Sequence, residues 1–219
     1  MARWTSADIP DQTGRTAVVT GANTGIGFET ARILARTGAS MVLACRDPEK
    51  GEAAARTIRA EMPAGSARFA PLDLADLDSV AAFAGAFEAD DGRLDLLVNN
   101  AGVMVPPLGR TKQGFELQLG TNHLGHFALT GRLLPMLERT PGARVVVVAS
   151  RAQSSGRIDF DDLNWAPALP HARRTPRWRS GSGSRARSSP RSPSRSRHPV
   201  TRRREEDAGR RPCRFPRYR

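Results

Sequence analysis

The sequence predicts an α/β fold, a doubly wound parallel sheet with helices on both faces, and three observations carry that expectation. First, short apolar runs at 17–20, 41–44, 67–70, 94–98 and 144–149 alternate with amphipathic stretches near 25–37, 48–61, 76–89 and 112–139. Strands alternating with helices through right-handed crossovers give a parallel sheet covered on both sides. Second, glycines arrive at 21, 25 and 27, between the first run and the first helical stretch. Third, Val145-Val146-Val147-Val148 is β-branched throughout, as expected of a central strand buried on both faces.

A chain of 219 residues is long enough for one sizeable domain of this kind. Cys45 and Cys213 are far apart and form neither a disulfide framework nor a metal-ligand spacing, which fits a reducing, cytoplasmic setting. Residues 1–8 have no apolar core for a signal peptide, and no later run is long enough to span a bilayer. The net charge of +12 is unevenly placed. From His171 to Arg219 there are seventeen arginines, no lysine and three acidic residues, a local net of +14 that leaves −2 for residues 1–170. Two segments are therefore expected, a folded domain over 1–165 and an Arg/Ser/Pro-rich disordered tail over 166–219.

In doubly wound sheets ligands bind beyond the carboxyl ends of the strands, so the residues after each strand are the candidates. After the first come Thr20, Gly21, Asn23, Thr24, Gly25, Ile26 and Gly27. Glycines let a backbone turn sharply beside a ligand, and the free N–H groups of the first helical turn favour a pyrophosphate. After the second comes Arg46, suited to a 2′-phosphate and hence to NADP, with NAD the alternative. Asp47 beside it also reads as a helix N-cap before Pro48. After the third come Asp73, a candidate acceptor for an adenine amino group, and Leu74. After the fourth come Asn99, Asn100, Ala101 and Gly102, with amides that can tie strand ends together. Ser150 follows the fifth.

Thr20–Gly27, Asn99–Gly102, Asn122 within Thr-Asn-His-Leu-Gly-His-Phe, and Ser150 together resemble the short-chain dehydrogenases/reductases. Residues 8–15 and 156–165 are similar to the retinol-dehydrogenase-like, NADP-preferring branch, and the resemblance spans roughly residues 4–165. It implies a Rossmann-type domain and hydride exchange between a nicotinamide and an alcohol or carbonyl substrate. It also implies roles: Gly21, Gly25 and Gly27 at the pyrophosphate, Asn99 and Ala101 at the nearer ribose, Asn122 holding a relay water, and Ser150 bonding the substrate oxygen.

The sequence departs from the family where a Tyr-x3-Lys pair should follow Ser150. The one tyrosine in the chain is Tyr218, and no lysine follows Lys112. A phenol with an ordinary pKa of about 10 needs a neighbouring cation to act near neutrality, and a general acid–base group contributes about 10²–10⁴-fold. Nothing positions His171 as a substitute. Three functions follow as expectations: an NADP-dependent reductase by resemblance, a cofactor-binding remnant without turnover, and nucleic-acid binding through the tail. The tail has two readings, a functional arm that contacts phosphates, or a shifted reading frame of a GC-rich gene. Truncation after the fifth strand would remove the family's dimer interface and leave that strand as an apolar edge. His123 and His126 read as packing or surface residues and Cys45 as a small hydrophobe.

Overall fold

The computed structural model describes residues 4–61, 66–151 and 158–164. The chain divides into two units, Met1–Ala172 and Arg173–Arg219, and the second lies wholly outside the described residues. The expectations for the tail and His171 therefore fall outside them too.

The first unit alternates strands and helices: β1 (Thr16–Thr20), α1 (Gly25–Arg36), β2 (Ser40–Cys45), α2 (Pro48–Glu61), β3 (Ala67–Pro71), α3 (Leu77–Asp90), β4 (Leu96–Asn99), α4 (Leu117–Leu119), α5 (Gly125–Arg139) and β5 (Arg144–Val147). The strands form one parallel sheet in the order β3-β2-β1-β4-β5. The central strand β1 pairs Val18 with Val42 on one side and with Leu97 on the other.

The period-two alternation of β1 divides the core. Val18, Val42 and Leu97 pack beneath Phe83, Phe87, Leu129 and Leu133 of α3 and α5. Ala17, Val19, Met41 and Leu43 face the opposite side, against Ala31, Ala35, Ala55 and Ile58 of α1 and α2. Burying each Val, Leu or Ile side chain contributes about 1.5–3 kcal/mol. The α1–α2 side is lined with alanines because these helices ride close to the sheet. At Gly51 of α2 a Cβ would stand 2.2 Å from Cδ2 of Phe69 on β3.

The structure corrects two expected boundaries and one expected environment. The helical stretch expected over 112–139 begins only at Leu117. Gly114, with φ +86°, turns the chain first, and the Glu116 carboxylate then accepts from the N–H groups of Gln118 and Leu119 to start α4. Gly120–Leu124 forms a π-helical turn before α5. β4 starts at Leu96 instead of 94, because Asp95 is taken up at the strand's entry. Its carboxylate accepts from the Thr16 N–H (2.9 Å) and from Arg93 Nε (2.8 Å). The valine run departs from the buried central strand that its composition predicts and is the apolar edge expected of a sheet that stops at its fifth strand. β5 lies at the edge of the sheet, and Val145 to Val148 are 41–65% exposed. Among the described residues no strand pairs with its outer side.

Two predictions follow from these features. Burial raises the Asp95 carboxyl, but hydrogen bonds from Arg93 and the Thr16 N–H outweigh it and hold the group below the usual carboxylate range. Its contribution to stability is therefore complete above the unfolded value of about 4 and is lost as pH falls through the lower folded value. Thermal melts from pH 7 to pH 2.5 should show a falling midpoint at the acid end, and Asp95→Asn should flatten that fall. The exposed edge should drive self-association. Val147→Lys, 65% exposed in the parent, should reduce concentration-dependent light scattering while leaving the circular dichroism spectrum unchanged.

Candidate functional site

The groove at the carboxyl ends of the strands follows from the strand order. α1 leaves β1 toward one face, while the chain leaving β4 turns toward the other, so a crevice opens between them. Its volume is about 400 Å³. Of the residues named from the sequence, Gly21, Asn23, Thr24, Ile26, Gly27, Arg46, Asp73, Leu74, Asn100, Ala101 and Gly102 line it. Ala44, Cys45, Leu72, Val103 and Thr121 also line it, although sequence reasoning did not place them in the site. The alternating strand pattern could have indicated Ala44, Cys45 and Leu72, since each lies at the end of β2 or just past β3. Thr121 has no such signal, because its place depends on where the π-helical turn forms.

The glycine turn is shaped by close approach. Gly21 has φ +66°, and a Cβ there would meet Ala101 Cα at 3.0 Å. A Cβ on Gly27 would lie 2.4 Å from Asn100 Nδ2 and 2.7 Å from the Gly21 carbonyl oxygen. Backbone therefore forms the floor, leaving a cradle that side chains would fill. Thr24 stands at the N-cap of α1 without a side-chain cap hydrogen bond, so its hydroxyl leaves the first-turn N–H groups open. Such an uncapped N-terminus favours an anion.

Around this turn the other side chains are arranged unequally. Arg46 has no ion-pair partner among the described residues. Its neighbour Asp47 caps α2: its carboxylate accepts from the Lys50 N–H at 3.1 Å and pairs with Lys50 Nζ at 3.1 Å. Asp73 lines the groove, but Oδ1 already accepts from the Ala75 N–H at 2.9 Å. Cys45 is buried in the floor, and burial pushes its thiol up to about 11, far from a reactive thiolate.

The end of β4 is tied to the end of β1. Asn100 Nδ2 donates to the Thr20 carbonyl at 2.8 Å, and the Asn100 N–H donates to Thr20 Oγ1 at 2.9 Å. Thr20 and Asn99 sit behind the groove wall, not in it, and Asn99 Nδ2 donates to Thr130 Oγ1 on α5. Gly25, with φ +59°, is exposed at the turn's rim. The Asn122 side chain clasps the loop after β4: Oδ1 accepts from the Val103 N–H and Nδ2 donates to the Val103 carbonyl, both at 2.8 Å. Ser150 is exposed, three residues past β5, and is not among the residues lining the groove. Among the described residues no cluster of three potential ligands could hold a metal ion, and no helix is long and apolar enough to cross a membrane.

Comparison with known proteins agrees with this geometry. A family profile described as short chain dehydrogenase matches residues 15–160. Retinol dehydrogenase 13 of Homo sapiens is 51% identical over 159 residues, which are 73% of this chain and 47% of that protein. An uncharacterised protein of Mycobacterium paratuberculosis with a crystal structure is 51% identical and superposes with a TM-score of 0.65 over 75% of this chain and 56% of its own. The Pseudomonas aeruginosa RhlG/NADP active-site complex is 31% identical, with a TM-score of 0.58 over 68% of this chain and 59% of its own. The chain spans about half the length of the curated relatives it matches.

One prediction tests the cradle. Gly27→Ala should lower stability by about 1–3 kcal/mol through overpacking against Asn100 and Gly21. It should also weaken ligand binding in the groove, read by thermal melts with and without nucleotide.

Proposed function

The chain belongs to the short-chain dehydrogenase family, and from that premise we propose that the groove binds NADP. The observation that carries this reading is Arg46: a guanidinium at the end of β2, lining the groove and without an ion-pair partner among the described residues. Its neighbouring carboxylate, Asp47, is occupied in capping α2. A bidentate guanidinium suits a 2′-phosphate. The RhlG structure with NADP, and a dehydrogenase from Escherichia coli CFT073 complexed with NADPH at 30% identity, support the same cofactor.

In this reading Gly21, Asn23, Thr24, Gly25, Ile26 and Gly27 take the pyrophosphate at the uncapped start of α1. Asp73 and Leu74 border the adenine. Asn99, Asn100, Ala101 and Gly102 form the floor beneath the nicotinamide ribose, with Asn99 acting from behind through Thr130. When bound, the nicotinamide supplies or accepts a hydride. Asn122 fixes the loop that carries Val103, and Ser150 is the candidate to bond an alcohol or carbonyl oxygen. Met104, Val105 and Leu108, all largely exposed and apolar, follow that loop and suit an apolar substrate. The likeness to retinol dehydrogenases points the same way.

The chain carries no tyrosine or lysine where the family's proton-transferring pair belongs. Nucleotide binding without turnover is the function proposed for it. Fluorescence titration should show NADPH binding more tightly than NADH. Arg46→Ala should weaken NADPH by about 10–100-fold and leave NADH nearly unchanged, since a hydrogen bond to a charged group contributes about 1.5–3 kcal/mol. Equal affinity for both nucleotides in the parent would sink the NADP reading. Consumption of NADPH with an aldehyde substrate would sink the absence of turnover.

A further inference from the structure

Behind the groove floor lies a buried hydrogen-bond chain whose central residue has no part in the site as described so far. His126, on the first turn of α5, is 6% exposed. Its Nδ1 is 3.0 Å from the Asn122 carbonyl oxygen, and its Nε2 is 2.9 Å from Thr20 Oγ1. The same hydroxyl oxygen receives the N–H groups of Asn100 and Ala101, each at 2.9 Å.

These partners determine where the protons sit. A carbonyl oxygen only accepts, so Nδ1 carries the ring proton. Burial pushes the ring below its ordinary pKa and His123 adds to that, against the Asn122 hydrogen bond, so the ring is neutral at pH 7. Nε2 then offers a lone pair, and the Thr20 hydroxyl donates to it in preference to the Val98 carbonyl at 3.4 Å. Thr20 Oγ1 has two lone pairs and one proton. Two received N–H groups and one donated bond saturate it.

We propose that His126 is a positioning residue for the nucleotide groove: by accepting the Thr20 hydroxyl proton it aims both Thr20 lone pairs at the Asn100 and Ala101 N–H groups, holding the β4 end against the glycine turn. Through Nδ1 it joins that end to the π-helical turn that supplies Thr121 and Asn122. The inference rests on reading the groove as a nucleotide site. Without the acceptor, the hydroxyl is free to rotate toward Val98 and the two N–H groups lose their aligned partner. A doubly protonated ring has the same effect, because Nε2–H would then point at an oxygen that is already saturated. The ring nitrogens meet the Thr20 hydroxyl of β1 and the Asn122 carbonyl of the π-helical turn. Neither of these titrates, and the one titratable side chain that acts on the ring among the described residues is His123.

The first test needs no nucleotide. Nitrogen-15 NMR of the full chain should show His126 neutral at pH 7, in the Nδ1–H tautomer. An Nε2–H tautomer or a charged ring would overturn the inference. The second test is NADPH titration of the parent, His126→Leu and His126→Gln, with circular dichroism confirming the fold. Removing the acceptor should weaken binding about tenfold, the scale of one buried hydrogen bond. Gln, with an amide oxygen able to reach the Nε2 position, should restore most of it. Affinity of the parent should fall on acidification through the His126 titration, and that of the Gln variant should not. Equal affinity of the parent and the Leu variant would overturn the inference. A parent that binds no NADPH would instead overturn the nucleotide reading, while the tautomer still reports on the hydrogen-bond chain. If the Leu variant does not fold, Thr20→Ser against Thr20→Val asks the same question: the inference requires Ser to bind like the parent and Val to lose affinity, and equal binding refutes it.

Discussion

The parallel pairing of β1 on both sides is the constraint on which the rest of the structure depends. With β2 on one flank and β4 on the other, β1 is the strand where the order of the sheet reverses. The connections leaving its end and that of β4 part toward opposite faces, and the crevice between them cannot be closed by either. Every special feature of the site answers to that geometry. Glycines stand where backbone meets backbone, Thr20 and Asn100 bridge the two strand ends, and the uncapped start of α1 points into the opening.

Electrostatics shape this molecule locally. The ion pairs along α1 and α2, such as Arg32 with Glu29 and Lys50 with Asp47, stand in contact with solvent, which screens them. Lys112 is placed differently, reaching Asp76 at 3.0 Å and Asp78 at 2.9 Å, so that one cation pins the loop after β4 to the start of α3. Together with the Asn122 clasp on Val103, this orders a segment that has little regular structure of its own. The chain's large positive charge belongs to residues 171–219, outside the described residues.

Most of the fold was legible in the sequence because its signals are local. Apolar runs of four to six residues, glycines after the first strand and helical periodicity between runs all act over one element. The glycine turn, Arg46 and the Asn99–Gly102 segment were legible for the same reason, since each follows a strand directly. What escaped depends on remote partners. The apolar periodicity of 112–139 continues through Gly114, so the turn there is visible only in the backbone. His126 looks like any helical histidine until β1, β4 and the π-helical turn converge on it. A valine run reads the same whether its strand has one neighbour or two, and composition does not say which neighbours exist. The edge position of β5 was legible from the family pattern that breaks off after Ser150, not from the valines themselves.

The order in which the sheet is assembled bears on how the chain comes off the ribosome. Among the described residues, those lining the groove lie between Gly21 and Thr121, and β5 is the one strand that comes after them. The groove's walls are thus synthesised before the apolar edge. A ligand of the groove binds the folded walls and not the unfolded chain, so by mass action it draws the nascent chain toward the folded state. A bound ligand would thereby lower the share of open chains whose valine strand is free to pair with a second copy.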